Sequence, residues 1–482
     1  METIKVEKVN EVYNKIYCEP GIGYEIKDHF TFKVPNYQFI PAYKNKMWDG
    51  NIYLYNPLTC LLYGGLNEHL EDFCKSRGYK IEYISNFNDN EFSVKEAKDF
   101  ISTLNTSFEP RDYQLDAFIS CVRKNRKLML SPTGSGKSFI IYLLARFYNK
   151  KTLIIVPNTS LIHQLGSDFI SYGLENQDDI HRIFQGQDKV SDAKYFISTW
   201  QSIYKQPKKW FDQFDVVIGD EAHLFKAKSL TTIMTNLENC KYRFGFTGTL
   251  DGTNTHKLML EALFGAVKQV TSTSKLMEDN VLSNLLIKSI VLNYPDEIKK
   301  NVSKFSYQEE INYLVENQAR NNFIRNLTLS LEGNTLLLFQ YVDKHGKMLY
   351  NLIKEKDPSR EIYFVHGGID SKEREHIRNV VDKSNNSIIV ASFGTFSTGI
   401  NIRNLHNIIF SSPSKSKIRN LQSIGRGLRK SDSKDQAVLY DIADNLSWKS
   451  KKNYTLLHYI ERIKTYNEEK FKYKVYNINI NI

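Results

Sequence analysis

The octet Ser131-Pro132-Thr133-Gly134-Ser135-Gly136-Lys137-Ser138 joins two glycines, a lysine and a hydroxyl in one short run. That set suits a polyphosphate. Gly134 and Gly136 let the backbone wrap an anion without a Cβ clash. Free N–H groups at the start of a following helix would face the phosphates. Lys137 supplies a mobile cation for the β- and γ-phosphates, and Ser138 can hold Mg²⁺ through its hydroxyl. Pro132, Thr133 and Ser135 complete the loop. The general phosphate-loop pattern has Gly at its first position, where Ser131 stands.

A second run, Phe214-Asp215-Val216-Val217-Ile218-Gly219-Asp220-Glu221-Ala222-His223, ends an apolar stretch in adjacent carboxylates. Asp220 can reach the Mg²⁺ shell, and Glu221 can orient and activate an attacking water. His223 reads two ways, as a coupler to neighbouring loops or as a structural histidine.

These side chains need elements to hold them. Leu128-Met129-Leu130 reads as a short strand running into the phosphate loop, and an apolar-periodic helix follows from Ser138 to Phe147. Further apolar runs lie at 153–156 and 216–218. The texture restarts at 336–339 and continues at 362–365, 388–391 and 408–410. Continuous apolar strands alternating with helices predict parallel sheets covered on both faces. Two such blocks predict two sheets. No regular pattern is legible between about 270 and 330.

The bulk numbers fit this organisation. The chain has 482 residues, enough for about three or four domains. It is 41% hydrophobic and 25% charged, an ordinary globular composition. The net charge of +11 is compatible with nucleic acid, an anionic membrane or simply a solvated basic surface. No run of 18 apolar residues points to a membrane span, and the N-terminus has no apolar signal core, so an intracellular protein is expected. Cys18, Cys60, Cys74, Cys121 and Cys240 are scattered and suggest neither a disulfide framework nor a zinc site.

Taken together, the motifs resemble those of superfamily 2 helicases. Asp220-Glu221-Ala222-His223 resembles the D-E-x-H box, and the Ser131 start is similar to that family's A/S-x-T-G-x-G-K form. Arg111-Asp112-Tyr113-Gln114 resembles its R-x-Y-Q element. The resemblance implies that Gln114 reads the adenine edge and Phe108 stacks on the base. Val156-Pro157-Asn158-Thr159-Ser160 and Ile197-Ser198-Thr199-Trp200 resemble strand-contacting motifs, with Pro157, Ser160, Thr199 and Trp200 as candidate contacts. Hydroxyls and backbone N–H groups in such loops hold phosphates without reading sequence. Thr247-Gly248-Thr249 takes the place of the coupling motif, in a form more typical of DNA translocases.

In the second block, His366-Gly367-Gly368 and Ser392-Phe393-Gly394-Thr395 resemble further strand contacts, carried by Gly367 and Thr395. Gly399 and Asn401 fall at the family's ATP-touching motif, with Asn401 where Asp is usual. Gln422-Ser423-Ile424-Gly425-Arg426-Gly427-Leu428-Arg429 fits the finger motif. Arg426 and Arg429 share a face if the segment is helical. The resemblance implies an α/β protein with two tandem RecA-like domains that hold ATP and Mg²⁺ between them.

The ends narrow the reading. Strand signals at 4–9, 30–34, 52–55 and 81–85 and a helix at 66–76 predict a small α/β module over residues 1–95. Within it, Asp49-Gly50 suits a tight hairpin. Lys44, Lys46 and Trp48 could grip a backbone and stack on bases. They could equally be ordinary surface and core residues. The helicase domains are expected at 96–270 and 271–445, and a short lysine-rich helical extension at 446–482, where Leu456, Ile460 and Ile463 recur at helical spacing.

Over nearly its full length the chain resembles the recombination and repair helicase family of tailed phages, including Trp48-Asp49-Gly50 and Ser274-Lys275-Leu276-Met277-Glu278-Asp279. The resemblance implies action in the host cytoplasm on forked DNA, four-way junctions and RNA–DNA hybrids, with strand annealing; a monomer is expected. The residues themselves leave open a duplex translocase without strand separation, an RNA helicase, and a junction-binding protein with a secondary ATPase.

Overall fold

The computed structural model describes residues 2–85, 87, 89–224, 227–250, 253–399, 402, 404–412, 416–428 and 436–480. Its contacts divide the chain into two compact units, residues 1–131 with 136–270, and residues 271–482 with 132–135. No helix among the described residues is long and apolar enough to cross a membrane.

The N-terminal module is built on strands β1 (Thr3–Lys8), β2 (Tyr13–Tyr17), β3 (Thr31–Lys33), β4 (Asn51–Tyr53), β5 (Tyr55–Asn56), β6 (Leu61–Tyr63) and β7 (Lys80–Tyr83). Five of them form a mixed sheet in the order β5-β6-β2-β1-β7, and β3 pairs with β4 apart from it. Ile4 and Val6 alternate inward from β1, as the two-residue strand period requires. The predicted helix is found at Asn67–Arg77. The expected tight hairpin at Asp49-Gly50 is not. Gly50 does take a left-handed turn, at φ 85°, but Lys33 pairs with Asn51 across the excursion 34–50. The intervening residues form two short helical turns of their own, Tyr37–Phe39 and Pro41–Lys44, and these lengthen the loop.

This module is packed onto the first helicase sheet, within one unit. Leu258, Met259 and Ala262 of the helix Asn254–Phe264 enter its apolar core. The backbones approach so closely that a Cβ on Gly65 would lie 2.1 Å from the Glu261 carbonyl. Around that contact, Arg126 donates to the Glu11 carbonyl, Lys127 pairs with Glu68, and His69 meets Glu261 at 3.0 Å.

The first helicase sheet comprises β8 (Arg126–Leu130), β9 (Thr152–Val156), β10 (Ile180–Ile183), β11 (Tyr195–Thr199), β12 (Val216–Gly219), β13 (Tyr242–Thr247) and β14 (Val267–Gln269). All pairings are parallel, in the order β10-β11-β9-β12-β13-β8-β14. Every residue of β9, β11 and β12 is buried, because apolar cores cover both faces of the sheet.

The second unit repeats the architecture with β15 (Asn284–Asn293), β16 (Thr335–Phe339), β17 (Ile362–Val365), β18 (Ile388–Ser392), β19 (Asn407–Phe410), β20 (Gln436–Asn445) and β21 (Lys472–Asn479). The order is β17-β18-β16-β19-β20-β15-β21, again parallel. The two-sheet α/β prediction therefore stands. The stretch 270–330 resolves into the helix Thr273–Glu278, the long strand β15 and helices Asp296–Val302, Tyr307–Glu316 and Gln318–Ser330. The C-terminal extension contains the expected helix, Tyr454–Glu468, but it also supplies edge strand β21. Leu456 and Ile463 pack on Val291 and Ala443.

The same helix is fastened by a buried ion pair. Arg462 Nη2 lies 2.8 Å from Asp441 Oδ1, with both side chains almost fully enclosed. Tyr466 donates to the second Asp441 oxygen. Removing one partner leaves the other charge buried and uncompensated, which costs about 3–5 kcal/mol. Arg462→Ala is therefore expected to lower the urea midpoint of the second unit clearly. The double variant Arg462→Met with Asp441→Asn should recover most of the loss, as read by tryptophan fluorescence.

Candidate nucleotide and nucleic-acid site

Parallel strands release all their carboxyl ends at one sheet edge, where ligands of open α/β sheets bind. In the first helicase sheet β13 lies between β8 and β12. The phosphate loop leaving β8, Thr247-Gly248-Thr249 leaving β13 and Asp220-Glu221 leaving β12 are thereby lined up. Leu130 pairs with Thr247, and Gly219 pairs with Gly245.

The loop is pinned at its start by the Ser131 N–H donating to the Thr247 carbonyl at 2.8 Å. Ser135 folds back on Pro132, donating from both N–H and hydroxyl. Thr133 and Gly134 are half-buried. Gly134 and Gly136 take φ of 86° and 80°, the left-handed region that glycine adopts without strain. Gly136 caps the helix Lys137–Tyr148, so free N–H groups of that helix start at the loop.

Lys137 Nζ lies 2.6 Å from Glu221 Oε1, both half-buried. Glu221 itself sits at φ 50°, and its N–H donates to Asp220 Oδ1. Burial raises the Asp220 carboxyl above its ordinary value; the Lys137 ammonium opposes the rise and Glu221 adds to it. The Ser138 hydroxyl and the Asp220 carboxylate are hard oxygen donors of the kind Mg²⁺ takes. A divalent cation would compensate the charge that burial disfavours on Asp220. These residues fit Mg²⁺: Ser138 and Asp220 would hold it, and it would offset the charge of a bound polyphosphate.

His223 links the acidic pair to β13. Its Nδ1 lies 3.5 Å from Glu221 Oε2 and 2.6 Å from Thr247 Oγ1. Thr247 donates its own proton to the Thr249 carbonyl. Its oxygen therefore accepts from His223, which places a proton on Nδ1. The coupling reading of His223 rests on its bond to Thr247, with the Glu221 carboxylate beside the same nitrogen.

Gln114 is buried on the first turn of the helix Asp112–Lys124. Its Oε1 accepts from the Arg111 N–H at 2.9 Å, and its Nε2 donates to the Gly136 carbonyl at 3.4 Å. It therefore touches the phosphate loop directly. Arg111 is exposed, and Phe108 is 46% exposed, edge-on to Tyr172 at 5.1 Å. Tyr172 was not singled out from sequence. Its hydroxyl lies 2.8 Å from Ser138 Oγ, and no local pattern marks it.

The candidate strand contacts of the first sheet share the same edge. Pro157 and Ser160 follow β9, and on the adjacent β11 Thr199 is the last residue and Trp200 follows it. Asn158 caps the helix Thr159–Ser171. Thr199 Oγ1 bonds the Ser202 hydroxyl, and Trp200 is half-buried against the core. In the second unit Gly367 follows β17 and Thr395 follows β18, again neighbours. Gly367 is exposed, whereas Thr395 is buried and held by Ser392. Gly399 ends the helix Phe393–Gly399. Arg426 is half-buried on the helix Lys417–Gly427. Asn401 and Arg429 lie outside the described residues, and with Arg429 so does the face that the two arginines are expected to share.

In the N-terminal module Lys44 and Lys46 are exposed, Lys46 at φ 55°. Trp48 is half-buried and donates from Nε1 to the Asn51 carbonyl at 2.7 Å. The same excursion exposes Phe39 and Met47, which the sequence reading did not single out. Their placement depends on the two short helical turns.

Known proteins match this arrangement. Family profiles described as DNA helicase UvsW, N-terminal, as Type III restriction enzyme, res subunit, and as Helicase conserved C-terminal domain match residues 3–84, 107–252 and 319–431. The chain is 37% identical to the ATP-dependent DNA helicase uvsW of Enterobacteria phage T4, over 99% of this chain and 100% of that protein. The crystal structure of T4 UvsW superposes with a TM-score of 0.52 at 34% identity, covering 99% of this chain and 100% of that one. The ATP-dependent Type ISP restriction-modification enzyme LlaBIII bound to DNA shares the fold at 15% identity and a TM-score of 0.58, over 87% of this chain and 36% of that one.

The bond between His223 and Thr247 has a measurable consequence. His223→Ala is expected to leave nucleoside triphosphate binding within about twofold and to slow hydrolysis by about tenfold or more, a loss of positioning. His223→Gln, which keeps a donor toward Thr247, should recover part of the rate. Equilibrium binding and phosphate release measured on both variants check this.

Proposed function

The chain belongs to the UvsW family of superfamily 2 DNA helicases, and on that premise we propose that it is an ATP- and Mg²⁺-dependent helicase that unwinds and branch-migrates DNA forks, four-way junctions and R-loops and anneals complementary strands. The observation that carries this reading is the shared sheet edge. The phosphate loop, Asp220–Glu221 and the loops after β9 and β11 all leave one parallel sheet in one direction. Hydrolysis chemistry and strand contact are then neighbours on a rigid platform.

In this reading Lys137 binds the β- and γ-phosphates, Glu221 orients the attacking water, and Ser138 with Asp220 holds Mg²⁺. Gln114 and Phe108 receive the adenine. Arg426 and Arg429 stabilise transition-state charge. Pro157, Ser160, Thr199, Trp200, Gly367 and Thr395 hold the strand backbone, and Gly399 and Asn401 contribute to the nucleotide. Lys137 and Glu221 partner each other at 2.6 Å. Phosphate competes with that carboxylate for the ammonium, so substrate binding frees Glu221 to act on water.

A second reading, duplex translocation without strand separation, is favoured by the restriction-enzyme profile over residues 107–252. A substrate panel separates the two. With ATP and Mg²⁺, the protein is expected to unwind a fork and a four-way junction and to displace RNA from an R-loop, while Lys137→Ala does none of these and still anneals complementary strands. Displacement of a triplex strand from a linear duplex with no unwinding of any branched substrate would select the translocase instead.

The N-terminal module is proposed as the branched-DNA grip. The exposed Lys44 and Lys46 and the neighbouring Phe39 and Met47 offer cations beside apolar surface, a combination suited to phosphate contact and base stacking. Lys44→Ala with Lys46→Ala is expected to weaken junction binding and to reduce the slope of log affinity against log salt by about 2. Affinity measured across a salt series gives that slope.

A further inference from the structure

Tyr172 belongs to no motif, yet it touches the nucleotide site at two points. It follows the helix Thr159–Ser171, whose first residues form the strand-contacting loop after β9. Its hydroxyl lies 2.8 Å from Ser138 Oγ. Its ring meets Phe108 edge-on at 5.1 Å, Phe139 at 5.0 Å and Tyr142 at 5.5 Å between centroids. One side chain thus contacts the residue assigned to the base and the hydroxyl assigned to the metal.

The hydrogen bond matters because a serine hydroxyl has one proton and two lone pairs. To ligate a cation, Ser138 must point a lone pair at it and its proton elsewhere. The tyrosine oxygen accepts such a proton. With Ser138 donating to Tyr172, both serine lone pairs stay available. The ring contacts with Phe139 and Tyr142 fix where the tyrosine oxygen stands, because aromatic rings pack in a few preferred geometries. The edge contact with Phe108 braces a partly exposed ring in the same way, beside its contact with Phe139 at 6.1 Å.

We propose that Tyr172 is a positioning residue of the ATP site, which orients the Ser138 hydroxyl for Mg²⁺ and braces Phe108 for the adenine. The proposal rests on the nucleotide reading given above. It assigns two separable jobs to one side chain, the hydroxyl serving the metal and the ring serving the base.

The test uses the full-length protein and AMP-PNP, with binding measured in EDTA and across a Mg²⁺ titration. Tyr172→Phe keeps the ring and is expected to bind metal-free AMP-PNP like the wild type. Its half-saturating Mg²⁺ concentration should rise roughly three- to tenfold, the range of one ordinary hydrogen bond. Tyr172→Ala should add a loss of metal-free affinity. Ser138→Ala combined with Tyr172→Phe should be no worse for Mg²⁺ than Ser138→Ala alone, because the two act through one group.

A Tyr172→Phe variant that titrates with Mg²⁺ like the wild type, or more tightly, overturns the proposal. Fully additive effects in the double variant also overturn it. If the wild type itself shows no Mg²⁺-dependent AMP-PNP binding, the nucleotide reading falls and this proposal falls with it. Matching thermal midpoints for wild type and Tyr172→Phe establish that the comparison is between equally folded proteins.

Discussion

One strand separates the phosphate loop from the acidic pair, and the geometry of the site follows from its width. Adjacent strands lie about 4.8 Å apart, so β8 and β12, with β13 between them, end about 10 Å apart. That gap is too wide for backbone contact and suits phosphates with a cation. Lys137 and Glu221 reach across it from opposite sides and meet at 2.6 Å. The intervening β13 closes the floor, since its last residue, Thr247, accepts from the Ser131 N–H through its carbonyl and from His223 through its hydroxyl. A shift of β13 would move the loop, the histidine and the gap together.

Charge is distributed to match that geometry. Burial works against ionisation of Asp220, and the Lys137 ammonium works for it. Lys137 is committed to Glu221, so its help to Asp220 is shared. A phosphate that draws Lys137 away would remove part of that help, and a divalent cation beside Asp220 would restore it. Nucleotide and metal are therefore expected to favour one another's binding at this site, for reasons visible in the protein groups alone.

The motifs were legible because each is local. Strand, glycine loop and helix follow one another around Gly134 and Gly136, and apolar residues run straight into Asp220 and Glu221. Contacts between distant segments left no such trace. Tyr172 reaches Ser138 only because the helix Thr159–Ser171 packs beside the helix Lys137–Tyr148, and a lone tyrosine after a helix announces nothing. The Asp49-Gly50 pair was read correctly as a turn but not as the close of a long excursion, because dipeptide chemistry fixes a bend and not its span. Strand β21, Lys-Tyr-Lys-Val-Tyr-Asn-Ile-Asn, is largely exposed. It lacks the apolar alternation that marks a half-buried strand, so its lysines read as part of a tail. On an edge strand those lysines have a use, since charge discourages unwanted pairing with another chain.

The C-terminal segment shows how such an addition is fixed in place. Asp441 and Asp444 lie three residues apart on β20, so the pleat turns them to opposite faces of the sheet. Arg462, from the helix Tyr454–Glu468, pairs with Asp441 on one face. On the other, Arg320, from the helix Gln318–Ser330, pairs with Asp444 at 2.8 Å and also donates to the Ser411 carbonyl. The neighbouring apolar residues keep the same alternation, with Ala443 packed beside Tyr459 and Ile442 in the core that holds Ile324. Replacing such pairs by apolar groups is often neutral for stability, so their value lies in geometry. An apolar helix face can slide along a sheet, whereas a two-pronged arginine on a buried carboxylate cannot do so without stranding a charge. Each face of β20 carries one such lock. The strand that follows the Arg426 segment is therefore fixed in register from both sides.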